Sequence, residues 1–158
     1  MRAILIVLSV ALVSCSSKPE ASPESTEKPT VSSTNDQKAY LEKAAAEPGA
    51  QKTASGLVYR DVTAGSGASP KATDTVKVHY RGTLINGKEF DSSYGQAPVE
   101  FPLNRVIACW TEGVQKMKVG GKARLVCPAN IAYGDASPTP DIPNGATLVF
   151  EIELLGIS

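Results

Sequence analysis

From residue 56 onward the chain runs in short stretches of alternating apolar and polar residues, punctuated by turn formers. Residues 75–81 put Val76, Val78 and Tyr80 on one side and Thr75, Lys77, His79 and Arg81 on the other, the two-residue period of a half-buried strand. Asn86-Gly87 predicts a tight hairpin that returns the chain through Lys88 to Asp91. Residues 122–127 alternate again, and residues 146–155 align Leu148, Phe150, Ile152 and Leu154 on one face. Between these strands, Thr111 is placed to cap a short helix that carries Val114 and Met117 and stops at Gly120-Gly121. The pattern predicts an α+β domain, an antiparallel β-sheet of about five to six strands wrapped around one short α-helix that covers its apolar face.

Upstream the pattern changes twice. Residues 16–36 are almost entirely Ser, Thr, Pro, Glu and Lys, with only Ala21 and Val31 apolar, too little to offset the entropy of ordering. A short helix is expected over residues 37–47, capped by Asn35 or Asp36, striped with Tyr40, Leu41, Ala44 and Ala45, and stopped by Pro48-Gly49. About three turns long, it is marginal alone and must dock, on its own domain or on a second copy. At the extreme N-terminus Arg2 precedes an apolar run over residues 3–13. The run is shorter than the ~20 residues that span a bilayer and fits the h-region of a secretory signal. The organisation expected is a signal at 1–14, a tether at 15–36, a short helical segment at 37–49 and the domain at 50–158.

Composition narrows the chemistry. Sixteen basic and sixteen acidic residues in 158 leave a formal net charge of zero, which argues against a nucleic acid partner. With one histidine, His79, and three cysteines, no His-rich zinc site or four-cysteine cluster can be assembled, so no metal is expected. A hydrolase would have to use His79, whose position opposite Tyr80 in the alternation turns it away from that residue's face.

The motifs are more specific. Leu12-Val13-Ser14-Cys15 resembles the lipobox of bacterial lipoproteins, which implies cleavage before Cys15, lipidation of its sulfur and attachment to a membrane. Ser16 after that cysteine resembles an outer-membrane sorting signal, so the expected address is the bacterial cell envelope, at the outer membrane facing the periplasm. Within the domain, Val78-His79-Tyr80-Arg81-Gly82 and Gly87-Lys88-Glu89-Phe90-Asp91-Ser92-Ser93 resemble the FKBP-type peptidyl-prolyl isomerases. So do Val106-Ile107, Trp110-Thr111-Glu112-Gly113, Ile131-Ala132-Tyr133-Gly134 and residues 146–151, in family order and at family spacing.

That resemblance implies an isomerase (rotamase) that speeds rotation about X–Pro bonds in extracytoplasmic protein folding. No cofactor is needed, because no bond is made or broken. By the same resemblance Trp110 forms a pocket floor beneath the proline ring, lined by Tyr80, Phe90, Phe101, Val106, Ile107 and Phe150. The Ile107 N–H and the Tyr133 hydroxyl would bind carbonyls, and Asp91 would polarise the amide or organise Tyr80. Partners implied are unfolded or folding proline-containing polypeptides and the family's macrolide inhibitors. The short helical segment favours a monomer. Val99 stands where many members carry a second pocket phenylalanine, and Pro138 and Asp141 make the pocket rim more polar. Cys109 and Cys127 are left either as a disulfide bracing the pocket floor or as two buried thiols. A reading from a different class is a holdase chaperone, or a module that captures prolyl segments without turning them over.

Overall fold

The computed structural model describes residues 33–158; the signal, Cys15 and most of the expected tether lie outside the described residues. The chain forms α1 (Thr34–Ala45), β1 (Ala50–Lys52), β2 (Val58–Thr63), β3 (Thr75–Leu84), β4 (Glu89–Ser92) and β5 (Val99–Pro102). There follow α2 (Ala108–Val114), β6 (Lys122–Cys127) and β7 (Leu148–Ile157). Single 3-10 turns span Leu103–Arg105 and Ala129–Ile131.

The strands make one antiparallel sheet in the order β1-β2-β6-β7-β3-β4, and β5 pairs with β3 below β4. This is the expected α+β architecture; β1 and β5, three and four residues long, bring the sheet to seven strands. Apolar alternation explains the concave face. Val76 and Val78 of β3, Leu125 of β6, and Leu148, Ile152 and Leu154 of β7 are fully buried there together with Val114 and Met117 from the α2 region.

Helix α2 begins four residues earlier than the Thr111 cap would place it. Ile107 is the N-cap and has no side-chain cap bond, while Thr111 sits inside the helix and donates its hydroxyl to the Leu103 carbonyl at 2.6 Å. The hydroxyl that resembles a cap in the sequence ties α2 to the preceding turn instead. The helix also ends at Val114, and tighter turns carry the chain through Met117 to Gly120 in the left-handed region (φ 86°).

Helix α1 also starts earlier than expected, three residues upstream. Ser33 and Asp36 form a reciprocal capping box, the Asp36 N–H donating to Ser33 Oγ and the Ser33 N–H to Asp36 Oδ2 at 3.0 Å. The helix docks on its own domain. Ala44 is buried against Val58, Val126 and Val149 on the convex face, with Tyr40, Leu41 and Ala45 packed around them. Polar contacts frame this second, smaller core: Arg124 Nη2 donates to the Tyr40 hydroxyl at 2.6 Å, Glu47 pairs with Arg60 and with Arg124, and the Thr147 N–H donates to Gln37 Oε1. Among the described residues no helix is long and apolar enough to cross a membrane.

Candidate active site

The concave side of the sheet leaves one end of the main core open, and the opening is an aromatic pocket of about 310 Å³. Its floor is Trp110, only 5 % exposed, on the first turn of α2. Three rings meet the indole edge to face, each with centroids 5.4 Å away: Tyr80 from β3, Phe101 from β5 and Phe150 from β7. Phe90 of β4 packs against Phe150 at 5.7 Å. Edge-to-face packing of this kind fixes ring orientation as well as burying area. Val106 and Ile107, between the 3-10 turn and α2, supply an aliphatic wall, and Tyr133 projects in from the segment after β6.

The backbone allows this packing at Gly82. A Cβ there would lie 2.5 Å from the Phe90 ring and 3.1 Å from Phe150, so only glycine lets both rings cross β3 at that point. Behind the floor, Cys109 and Cys127 are joined as a disulfide with Cα atoms 5.8 Å apart, tying the start of α2 to the end of β6.

The polar groups are few. The Tyr80 hydroxyl donates to Asp91 Oδ2 at 2.6 Å, and the Ser92 N–H donates to Asp91 Oδ1 at 2.9 Å, so the carboxylate is held from both oxygens. Burial first, then this hydrogen bond and the charge of Asp91, raise the Tyr80 pKa well above the usual phenol value. Burial and the same charge raise Tyr133. Both phenols therefore stay protonated and serve as donors. The Ile107 N–H stands ahead of the first turn of α2, where helix amides lack an internal acceptor. A chamber walled by rings with a few inward donors can hold a ring and one or two carbonyls, and no serine, threonine, cysteine, lysine or histidine is among its lining residues.

All nine residues expected to act in catalysis or substrate binding line this one pocket, namely Tyr80, Phe90, Asp91, Phe101, Val106, Ile107, Trp110, Tyr133 and Phe150. Sequence reasoning missed the tenth, Arg105, although its place next to Val106 was the available signal. Val99 and Asp141 do not line the pocket. Val99 pairs with Val78 on the edge of β3, and Asp141, expected at the rim, is ion-paired with Lys88 at 2.8 Å. His79 faces away, its Nδ1 3.2 Å from Ser93 Oγ and its ring stacked on Tyr94. Ser93 is itself buried and accepts the Tyr80 N–H at 2.9 Å, which occupies its hydroxyl structurally.

Known proteins are similar to this chain in sequence and in fold. The profile of the FKBP-type peptidyl-prolyl cis-trans isomerases matches residues 67–155. The chain is 52 % identical over 121 residues to the FKBP-type peptidyl-prolyl cis-trans isomerase FkpA of Escherichia coli K12, covering 76 % of this chain and 44 % of that protein. It is 48 % identical over 119 residues to the FKBP-type 22 kDa isomerase of the same organism, covering 75 % and 58 %. The chain thus spans about half the length of these relatives. Among solved structures, the peptidyl-prolyl cis-trans isomerase of Pseudomonas syringae pv. tomato superposes with a TM-score of 0.75 at 38 % identity, over 84 % of this chain and 98 % of that one.

Proposed function

The chain belongs to the FKBP-type peptidyl-prolyl cis-trans isomerase family, and from that premise we propose that it catalyses cis–trans rotation of X–Pro bonds in folding polypeptides. The observation that carries the reading is the convergence of three aromatic rings on Trp110, with Asp91 and Tyr133 at the same pocket. The planar amide is protected by a barrier of ~18–20 kcal/mol because of its resonance. Twisting the bond removes charge separation, so a dry pocket favours the twisted state over the planar one that water stabilises. The proline ring rests on Trp110, while the Ile107 N–H and Tyr133 hydroxyl hold carbonyls and fix the chain as a turn. Tyr80, locked by Asp91, keeps the wall beside the reacting bond in place. Lowering the barrier by about 5 kcal/mol gives a few thousandfold, each ~1.4 kcal/mol being a factor of ten. The family's macrolide inhibitors would occupy this pocket in competition with peptide.

The protein works outside the cytoplasm, attached through a lipid on Cys15 at the outer membrane facing the periplasm, and as a monomer. The lipobox-like Leu12-Val13-Ser14-Cys15 supports the anchor, and the Cys109–Cys127 bridge is of the kind that persists in an oxidising compartment. Docking of α1 on its own sheet supports the monomer, because the apolar stripe that could have recruited a second copy is already covered.

The test is exchange of a short X–Pro peptide followed by NMR, with Trp110→Ala and Asp91→Leu alongside and folding checked for each. Acceleration by substoichiometric wild type, lost in both folded variants, is expected. A folded wild type that leaves the exchange rate unchanged overturns the enzyme reading.

A further inference from the structure

Arg105 is the cation of the pocket. It ends the 3-10 turn Leu103–Arg105, immediately before the wall residues Val106 and Ile107, and it lines the chamber together with Trp110. Its backbone is well fixed. Leu103 is fully buried, and its carbonyl accepts the Thr111 hydroxyl at 2.6 Å, so the turn is pinned to α2 while the Arg105 side chain stays exposed. Arg60, Arg81 and Arg124 each pair with a glutamate; Arg105 alone among the described arginines has no carboxylate within ion-pairing distance. Nor does any hydrogen bond within the described chain engage its guanidinium. The other charged group lining the pocket is Asp91, whose two oxygens are already taken by the Tyr80 hydroxyl and the Ser92 N–H.

An unpaired guanidinium on a pinned turn, lining a mainly aromatic pocket whose one carboxylate is already engaged, is suited to a carboxylate brought in by the substrate. We propose that Arg105 is a specificity residue, selecting proline-containing segments with an acidic side chain immediately adjacent to the proline. This deepens the isomerase reading and rests on it for the identity of the ligand. Because the guanidinium is exposed, the preference is modest and sensitive to salt: about two- to fivefold in affinity for Glu over Gln, the range typical of exposed ion pairs.

The test separates capture from turnover. Trp110 is the sole tryptophan and forms the pocket floor, so its fluorescence reports occupancy directly. Short peptides carrying Glu, Gln or Lys just before or just after proline are titrated into the whole chain and into Arg105→Gln, Arg105→Lys and Arg105→Glu. The same peptides are followed by NMR exchange. The expected result is a Glu-over-Gln affinity ratio of about two to five in wild type at one or both positions, diminishing with added salt. The ratio falls to one in Arg105→Gln, survives in Arg105→Lys and inverts towards Lys in Arg105→Glu. General weakening of the pocket would lower all affinities together and leave the ratio intact. A wild-type ratio of one at both positions, or a ratio that Arg105→Gln leaves in place, overturns the proposal. Charge-selective binding without acceleration of any peptide would instead refute the isomerase reading and leave the role of Arg105 in capture standing.

Discussion

Opening the Cys109–Cys127 bridge perturbs the wall behind the pocket while leaving every side chain that lines it unchanged. The bridge closes a loop of 18 residues. A cross-link of that span removes entropy from the unfolded chain worth about 3 kcal/mol at room temperature. Against a typical domain stability of about 5–15 kcal/mol, the reduced protein should remain folded but much less resistant to denaturant. Both cysteines are fully buried, so a reductant reaches them only when the structure opens. The protein is therefore unfolded in urea with and without reductant, and each form is refolded and titrated, with Trp110 fluorescence as the probe. With a urea slope of roughly 1–3 kcal/mol per molar, the midpoint should fall by roughly 1–3 M on reduction. Cys109→Ala/Cys127→Ala should fall further, by about 1 kcal/mol for each lost sulfur that leaves a small cavity. Peptide exchange by the folded, reduced protein should persist, because Tyr80, Phe101 and Phe150 still hold the indole. Coincident midpoints for the oxidised and reduced forms would refute the reasoning, since the cross-link would then contribute nothing to the unfolded state.

Other consequences are equally open to measurement. Tyr80 and Tyr133 have pKa values raised in the folded state, so their protonated hydroxyls contribute fully below the ordinary phenol value of about 10 and are lost only as pH rises through the higher folded values. No loss of peptide exchange should accompany phenolate absorbance between about pH 7 and 10, and a fall that tracks it would contradict the assignment. Gly82→Ala drives a methyl into Phe90 and Phe150 and should cost about 1–3 kcal/mol with weaker peptide binding; unaltered thermal stability and affinity would count against the packing argument. Glu47→Gln removes the contacts to Arg60 and Arg124 that frame α1, a loss of about 1 kcal/mol or less for such partly exposed pairs, and should raise hydrogen exchange in α1 while sparing β3. Cys15→Ala should abolish incorporation of labelled palmitate and release the protein from the envelope fraction; continued labelling would place the lipid elsewhere.

The parts of the fold legible in the sequence are those buried on one side only. In β3 every second residue from Val76 to Tyr80 meets the core or the pocket, and the residues between face outward, so a period of two was enough. Leu125-Val126-Cys127 and Leu148-Val149-Phe150 carry a different signal. Three apolar residues in succession mean burial from both sides, and Val126 and Val149 are the positions α1 covers on the convex face. Read that way, the triplets predict a second covering element, and the striped segment at Tyr40 to Ala45 supplies it. The start of α1 was obscured because Ser33 and Asp36 form a capping box with aspartate at the third helical position, inside a run whose Ser, Thr and Pro content suggests disorder. Thr111 illustrates the converse: a hydroxyl at a plausible boundary marks a helix start only if no nearer carbonyl claims it, and Leu103 does.

The pocket was readable only as a set. Six aromatic or aliphatic residues taken one at a time are indistinguishable from core, since each is half or fully buried and each touches others of its kind. What separates them from core is that their elements leave one end of the sheet uncovered, a property of topology rather than of composition. Short β5 pairs only with the lower half of β3, β4 with the upper half, and the gap beneath them is where Phe101 and Tyr80 meet Trp110, with Phe90 against Phe150 beside them. Arg105 escaped for the complementary reason. A lone exposed arginine is ordinary surface by composition, and it becomes a candidate contact only once the 3-10 turn points it at an apolar chamber that holds no other cation. The same physics therefore distinguishes the two roles: the rings create a site by excluding water, and the one unpaired charge lining it, Arg105, biases modestly which chains find entry favourable.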